Sequence, residues 1–71
     1  MTSITVPEGT IRPEVQLIGE DGNAFAVMGK TVQALRRAGN DQSVIDSYIE
    51  QATSGDYNHL LAVTMEFAQV S

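Results

Sequence analysis

Cysteine is absent from this sequence of 71 residues, and histidine occurs only once. Without cysteine the chain can form neither a disulfide nor a thiolate metal site, and it has no thiol nucleophile. A single histidine also excludes a zinc site built from several histidines. We therefore expect no bound metal, no cofactor and no catalytic residue, and we predict that the protein is not an enzyme.

Long apolar runs are absent as well. No stretch approaches the ~20 apolar residues of a membrane-spanning helix, and the first residues lack the basic start and apolar run of a signal peptide. We expect a cytoplasmic protein that does not bind membranes. A chain of 71 residues forms one domain with a modest core, which favours self-association as an added source of stability.

Basic residues are few and clustered. Four Lys and Arg stand against nine Asp and Glu, and the resulting net charge of −5 disfavours binding to nucleic acid. Lys30, Arg36 and Arg37 lie within residues 23–38, a segment that contains no acid. We interpret these three residues as an interaction surface for an acidic protein or for a second copy of the chain. The alternative is an ordinary solvated helix face.

Two prolines near the start of the chain prevent helix formation there. We predict an extended N-terminal arm over residues 1–13, in which residues 4–6 can pair as an edge strand. A single α+β domain then covers residues 14–71. Within it, the alternating pattern of residues 14–18 suits a half-buried strand.

The next element is the best specified. Gly19–Gly22 has the composition of a turn, and Asn23 stands where the N-cap of a helix is expected. The pattern predicts a helix over Ala24–Ala38, which ends at Gly39 because glycine readily adopts the left-handed conformation of a helix terminus.

Two further helices follow. Asn40 or Asp41 can cap a helix over about Gln42–Thr53. Ser54 and Gly55 end this helix, and Asp56 caps a shorter third helix that continues through residue 64.

Residues 66–70 suit either a helix or a strand. We favour a strand over residues 67–70, because the strand at 14–18 needs a partner and the chain has few others. The predicted fold is therefore α+β with the order β-α-α-α-β, in which the two terminal strands are antiparallel and the helices pack on one face.

The apolar residues of the first helix predict which side of it is buried. They recur with the 3.6-residue period of one helix face. We predict that this face contacts apolar residues of the later elements. The predicted face consists of Phe25, Met28, Val32 and Leu35, and its predicted contacts are Ile45, Ile49, Leu61 and Phe67.

The two turns that precede helices form a second candidate site. The start of a helix presents free amides and a positive dipole end, which can hold a phosphate or carboxylate. If the Gly19–Asn23 and Gly55–His59 turns meet in space, a small anionic ligand or nucleotide can bind between them, with Tyr57 stacking on a base and Lys30 or Arg37 neutralising charge. We favour a purely structural role for both turns. The candidate ligand-binding residues are Gly22, Asn23, Asp56, Tyr57 and His59.

Ser54, His59 and a nearby acid invite comparison with a hydrolase triad. A triad also needs a sharp nucleophile elbow, an oriented base and an oxyanion hole, none of which the spacing supplies. We interpret Ser54 as part of a helix terminus, and His59 as a half-buried residue that bonds a nearby carbonyl.

Three segments resemble small proteins of unassigned function from bacterial, plasmid and phage sequences. They are residues 22–26 (GNAFA), 35–39 (LRRAG) and 52–61 (ATSGDYNHLL), and the resemblance covers about residues 15–70. It implies an accessory protein from a mobile element or phage, and it assigns no activity and no residue role. We therefore predict a non-enzymatic protein that acts by protein–protein interaction, with small-ligand binding as the alternative.

Overall fold

The computed structural model describes residues 4–16 and 23–70. Its elements follow the predicted order β-α-α-α-β, so the fold is a small α+β arrangement. The predicted turn at 19–22 and the second half of the predicted first strand lie outside the described residues. The elements are β1 (Glu14–Val15), α1 (Ala24–Arg37), α2 (Gln42–Ala52), α3 (Tyr57–Phe67) and β2 (Gln69–Val70).

The two strands are parallel, so the predicted antiparallel pairing is wrong. Glu14 lies opposite Gln69, and Val15 lies opposite Val70. An antiparallel pair is required only when a tight hairpin joins two strands, whereas three helices connect these two and form a crossover long enough for parallel pairing. The second strand is also shorter than predicted, because α3 continues to Phe67.

The ends of α1 confirm the prediction. The Asn23 side chain accepts hydrogen bonds from the backbone N–H groups of Phe25 and Ala26. At the other end Gly39 has a φ of 97°, the Asn40 N–H donates to the Leu35 carbonyl, and the Gly39 N–H donates to the Arg36 carbonyl. This pair of bonds is a Schellman motif, which satisfies the last carbonyls of the helix.

The buried side of α1 differs from the predicted one. Leu35 is fully buried as expected, but Phe25 is 81% exposed, and Val27 and Thr31 are buried in its place. Thr31 tolerates the core because its hydroxyl donates to the Val27 carbonyl, which satisfies the polar group within the helix. The buried line therefore runs through residues four apart, and Met28 and Val32 are half-buried at its edge.

The core is built mainly from α2 and α3 packed on this side of α1. Tyr48 and Phe67 are fully buried, with their ring centroids 5.3 Å apart in an edge-to-face arrangement. Of the predicted contacts of α1, Ile45 and Phe67 are buried, Leu61 is half-buried, and Ile49 is 39% exposed. Ile49 therefore lies at the solvent edge of α2, outside the buried core.

The N-terminal segment forms no strand at residues 4–6, but the helices hold it in place. The Gln51 carboxamide accepts from the Thr5 N–H at 2.7 Å and donates to the Thr5 carbonyl at 2.6 Å. The Asn40 carboxamide bonds the N–H and carbonyl of Ile11 in the same way, at 2.8 and 2.9 Å. Because these side chains take the place of a neighbouring strand, the segment needs no sheet to satisfy its backbone.

Candidate functional site

The exposed side of α1 carries the three clustered basic residues. We call Lys30, Gln33, Arg36 and Arg37 the basic face; all four are exposed. Thr31 and Leu35 are buried on the opposite side of α1. Because the helix period separates these buried residues from the basic face, their burial turns the basic face toward solvent. The sequence-based placement of Lys30, Arg36 and Arg37 on one solvated side therefore agrees with the geometry.

Arg36 and Arg37 make no side-chain hydrogen bond or ion pair with any residue in the described ranges. Lys30 differs, because its Nζ donates to the Gln16 carbonyl at 3.3 Å. Both arginines lie in the last turn of α1, where positive charge complements the negative end of the helix dipole. Their guanidinium groups thus remain available to a partner while favouring the helix that carries them.

Two shallow depressions border the basic face. One, of about 240 Å³, lies between β1 and α1 and is lined by residues that include Glu14, Lys30 and Arg37. The other, of about 330 Å³, is lined by Gln33, Arg36 and Arg37. Both are open to solvent, whereas small-molecule sites usually enclose most of the ligand surface. Open depressions of this kind suit contact with a macromolecular surface better than binding of a small molecule.

A row of acids lies on the exposed side of α2. We call Asp46 and Glu50, which are four residues apart and both exposed, the acidic face. Asp46 accepts from the Gln42 side chain at 3.0 Å, and no Lys or Arg occurs in α2. The partly exposed Ile49 lies beside Glu50 along the chain. The four-residue spacing of these acids is visible in the sequence.

The starts of α1 and α3 share one depression of about 270 Å³. The two helices that follow the predicted turns therefore approach each other at their first residues, while residues 19–22 of the first turn lie outside the described residues. Asp56 and Tyr57 line this depression, whereas Asn23 and His59 do not, and Gly22 is outside the described residues. The described residues that line it are Ala24, Phe25, Met28, Ala52, Thr53, Gly55, Asp56, Tyr57 and Leu60.

The chemistry of this depression does not favour an anion. The Asn23 side chain already accepts from two amides of the first turn of α1, and Asp56 accepts from the His59 N–H at 2.9 Å. The Asp56 carboxylate is the charged group of the lining and repels anions, while Lys30 and Arg37 line another depression. Most of the remaining lining is apolar, so the site as predicted lacks its neutralising cations.

Ser54 and His59 are close to each other but are not arranged as a triad. The His59 Nε2 lies 3.0 Å from the Gln51 carbonyl oxygen and 3.1 Å from the Ser54 Oγ. Because a carbonyl oxygen only accepts, Nε2 carries the proton and cannot serve as a base toward Ser54 in this arrangement. The half-buried ring bonds a carbonyl, as predicted, and connects the end of α2 to α3.

Gly55 allows this close approach of the His59 ring. A Cβ atom added at Gly55 would lie 2.8 Å from the Cγ of His59 and 2.9 Å from its Cβ. These atoms are not the free end of a flexible chain, so the backbone would have to shift. The glycine therefore has a packing role, and the contact supports the structural interpretation of this turn.

A buried hydroxyl cluster was not anticipated from the sequence. The Tyr48 hydroxyl lies 2.8 Å from the Thr64 Oγ1, which itself donates to the Leu60 carbonyl. Burial raises the pKa of Tyr48 above its ordinary value of 10.0, and its side-chain hydrogen bonding with Thr31 and Thr64 partly opposes this shift. The cluster is closed to solvent, so we assign it to the core and not to a site.

The described residues also bear on membrane spanning and on metal binding. None of the described helices is long and apolar enough to cross a membrane. Within residues 4–16 and 23–70, no group of three His, Cys, Asp or Glu side chains is placed to hold a metal ion.

Comparisons with protein-family models, with curated proteins and with solved structures find no match to this chain. Its function must therefore be inferred from its own geometry, in which the basic face of α1 is the most distinctive feature of the surface.

Proposed function

We propose that this chain is a non-enzymatic accessory protein that acts by binding another protein chain, with the basic face of α1 as part of the contact. The observation that carries the proposal is that Arg36 and Arg37 are exposed and have no partner among the described residues. They lie on a helix without acids, in a protein whose net charge is −5. We place this binding in the cytoplasm, and the resemblance to plasmid and phage sequences supports an origin in a mobile element.

Electrostatics and apolar contact would have separate roles in such binding. Charges at the edge of an interface mainly set the association rate and its salt dependence, because they are screened by the solvent. Apolar neighbours must supply most of the affinity. Phe25 meets this need, since it is 81% exposed and lies eleven residues, about three helical turns, before Arg36 on the same side of α1.

Binding of a small anionic ligand or nucleotide is the alternative function. The depression shared by the starts of α1 and α3, with Tyr57 in its wall, supports it. The Asp56 carboxylate and the absence of Lys and Arg from that lining oppose it. We therefore favour protein binding.

Site-specific crosslinking tests the proposal. A photoreactive phenylalanine analogue placed at Gln33, in cells that naturally make the protein, should form an adduct with a protein chain. The same group placed at Asn58 on α3 should not form that adduct. The two positions are both exposed, so they differ in location and not in accessibility.

Charge variants make the test specific. Arg36→Gln with Arg37→Gln should weaken the Gln33 adduct several-fold and reduce its salt dependence. Thr5→Glu with Asn58→Glu changes the net charge by the same amount at other exposed positions and should leave the adduct intact. Equal effects of the two double variants, or equal adducts from both crosslinker positions, would contradict the proposal.

A further inference from the structure

Gly29 is a glycine that the described molecule does not require. It lies in the middle of α1, is exposed, and has no positive φ. A Cβ atom added there would meet nothing within 4 Å. Glycine inside a helix costs about 1 kcal/mol relative to alanine, and nothing in residues 4–16 and 23–70 gives an intramolecular reason for that cost at this position. Close approach of another chain would supply one.

Gly29 is at the centre of the surface already described. It follows Phe25 by four residues and precedes Arg36 by seven, so the three residues line one side of α1. An exposed aromatic ring, a residue without a side chain and a guanidinium group that has no partner among the described residues therefore occur in sequence along one helix side. This combination fits a partner helix that lies against α1.

The charge of the exposed residues indicates which helix of a second copy can lie against α1. The basic face of one copy would repel the basic face of another, so two α1 helices do not pair with each other. The acidic face of α2, in contrast, carries Asp46 and Glu50 without any base, and exposes part of Ile49. It is the complementary surface that the chain itself supplies.

We infer that α1 of one copy packs against α2 of a second copy, so that the basic face of each meets the acidic face of its mate. This inference rests on the proposed function, because it names the partner of the same surface. A two-fold axis would form the contact twice, α1 on the mate's α2 and α2 on the mate's α1.

A charge-swap experiment tests this pairing. The variant Arg36→Glu/Arg37→Glu has two acidic helix faces, and the variant Asp46→Lys/Glu50→Lys has two basic ones. Each alone should lose self-association by at least about tenfold in Kd, whereas an equimolar mixture should recover it as a heterodimer. Sedimentation velocity over a range of protein concentrations, at low and high salt, measures this. The variant Thr5→Glu/Asn58→Glu serves as the control and should associate like the unmodified chain.

Gly29→Gln adds a readout that a purely structural role would not produce. The new Cβ meets no atom of the described residues within 4 Å, and glutamine has a better helix propensity than glycine, so the thermal midpoint should rise. The same side chain should block the mate's helix and weaken self-association. Unchanged association of Gly29→Gln together with a higher midpoint would contradict close approach at this position.

Failure of this inference is distinguishable from failure of the proposed function. An unmodified chain that stays monomeric at low salt, or a mixture that does not recover association, overturns the pairing of α1 with α2. If such a chain still gives the charge-sensitive Gln33 adduct with a different protein, the proposed function stands. A Gln33 adduct of twice the chain mass, abolished in either charge-swap variant and regained in their mixture, supports both.

Discussion

Phe25 and Leu35 lie on the same helix and have nearly opposite environments. Leu35 has no exposed surface, whereas Phe25 is 81% exposed. Both are large and apolar, so composition does not separate them. Their angular positions around α1 explain the difference, because the centre of the buried side lies along Val27, Thr31 and Leu35.

Truncating the two residues should therefore have different effects. We expect Leu35→Ala to lower the free energy of unfolding by roughly 2–5 kcal/mol, through lost burial and the cavity that remains. Phe25→Ala should change it by no more than about 0.5 kcal/mol, because the ring is already in water. Urea denaturation followed by circular dichroism measures both. Similar losses for the two variants would contradict the orientation of α1.

Tyr48 should make the stability of the fold depend on alkaline pH. Its folded-state pKa is raised by burial above 10.0, so the unfolded chain loses the hydroxyl proton at a lower pH than the folded one. The stabilising contribution is fully present below pH 10 and is lost as the pH rises toward the folded-state pKa. Thermal melting between neutral pH and pH above 10 should show this decline.

Tyr48→Phe tests the cause of that decline. The variant should be less stable at neutral pH by about 1 kcal/mol, since the hydrogen bond to Thr64 is lost. Its stability should also fall less steeply at high pH. Tyr57→Phe, which removes the hydroxyl of a partly exposed tyrosine, controls for the loss of a phenol group. An unchanged slope in Tyr48→Phe would assign the alkaline decline to another group.

At the scale of the elements, three residues that look like equivalent helix N-caps in the sequence make different contacts in the structure. Asn23 and Asp56 both accept hydrogen bonds from backbone N–H groups of the first helical turn. Asp41 occupies the same position before α2 but makes no such side-chain bond. Its neighbour Asn40 is instead engaged with Ile11 and with the end of α1.

Substitutions that remove these three side chains should therefore differ in their effect on the free energy of unfolding. We expect Asn23→Ala and Asp56→Ala each to lower the free energy of unfolding by about 1 kcal/mol. Asp41→Ala should cost clearly less, because it loses only the interaction of its charge with the start of α2. Chemical denaturation of the three variants under identical conditions makes the comparison. A loss for Asp41→Ala as large as the other two would show that its side chain caps α2 after all.

At the scale of the whole molecule, Arg12 connects the segment before β1 to the end of α3. Its guanidinium donates to the Met65 carbonyl at 2.9 Å and to the Ala68 carbonyl at 3.4 Å, near the end of α3. The adjacent Pro13 carbonyl accepts from the Gln69 N–H at 2.8 Å. Arg12 thus lies where α3 gives way to β2, and its positive charge also complements the negative end of that helix.

Arg12→Ala should loosen this junction. We expect the Gln69 amide to exchange with solvent several-fold faster, because each strand of the β1–β2 pair is only 2 residues long and short elements open readily. Arg36→Ala removes a guanidinium that has no partner in the described part of the chain and should leave the Gln69 exchange rate unchanged. Hydrogen exchange followed by NMR measures both variants. Equal exchange rates in the two would mean that the strand pair does not depend on Arg12.

Local physical chemistry made much of this protein predictable from its sequence. The caps at Asn23 and Asp56, the glycine terminus at Gly39, and the order of the elements depend on short-range geometry, which neighbouring residues determine by themselves. The cluster of Lys30, Arg36 and Arg37 on one solvated side followed from the same helix period.

Tertiary structure decided the remainder, because it depends on which surfaces meet. The strands are parallel, a direction that the three-helix connection permits but does not impose and that no local signal encodes. Phe25 is exposed and Thr31 is buried because α2 and α3 pack against one particular side of α1, and Thr31 satisfies its hydroxyl within its own helix. The meeting of two helix starts around one largely apolar depression, and the exposure of Arg36 and Arg37 to solvent, likewise exist only once the three helices have packed.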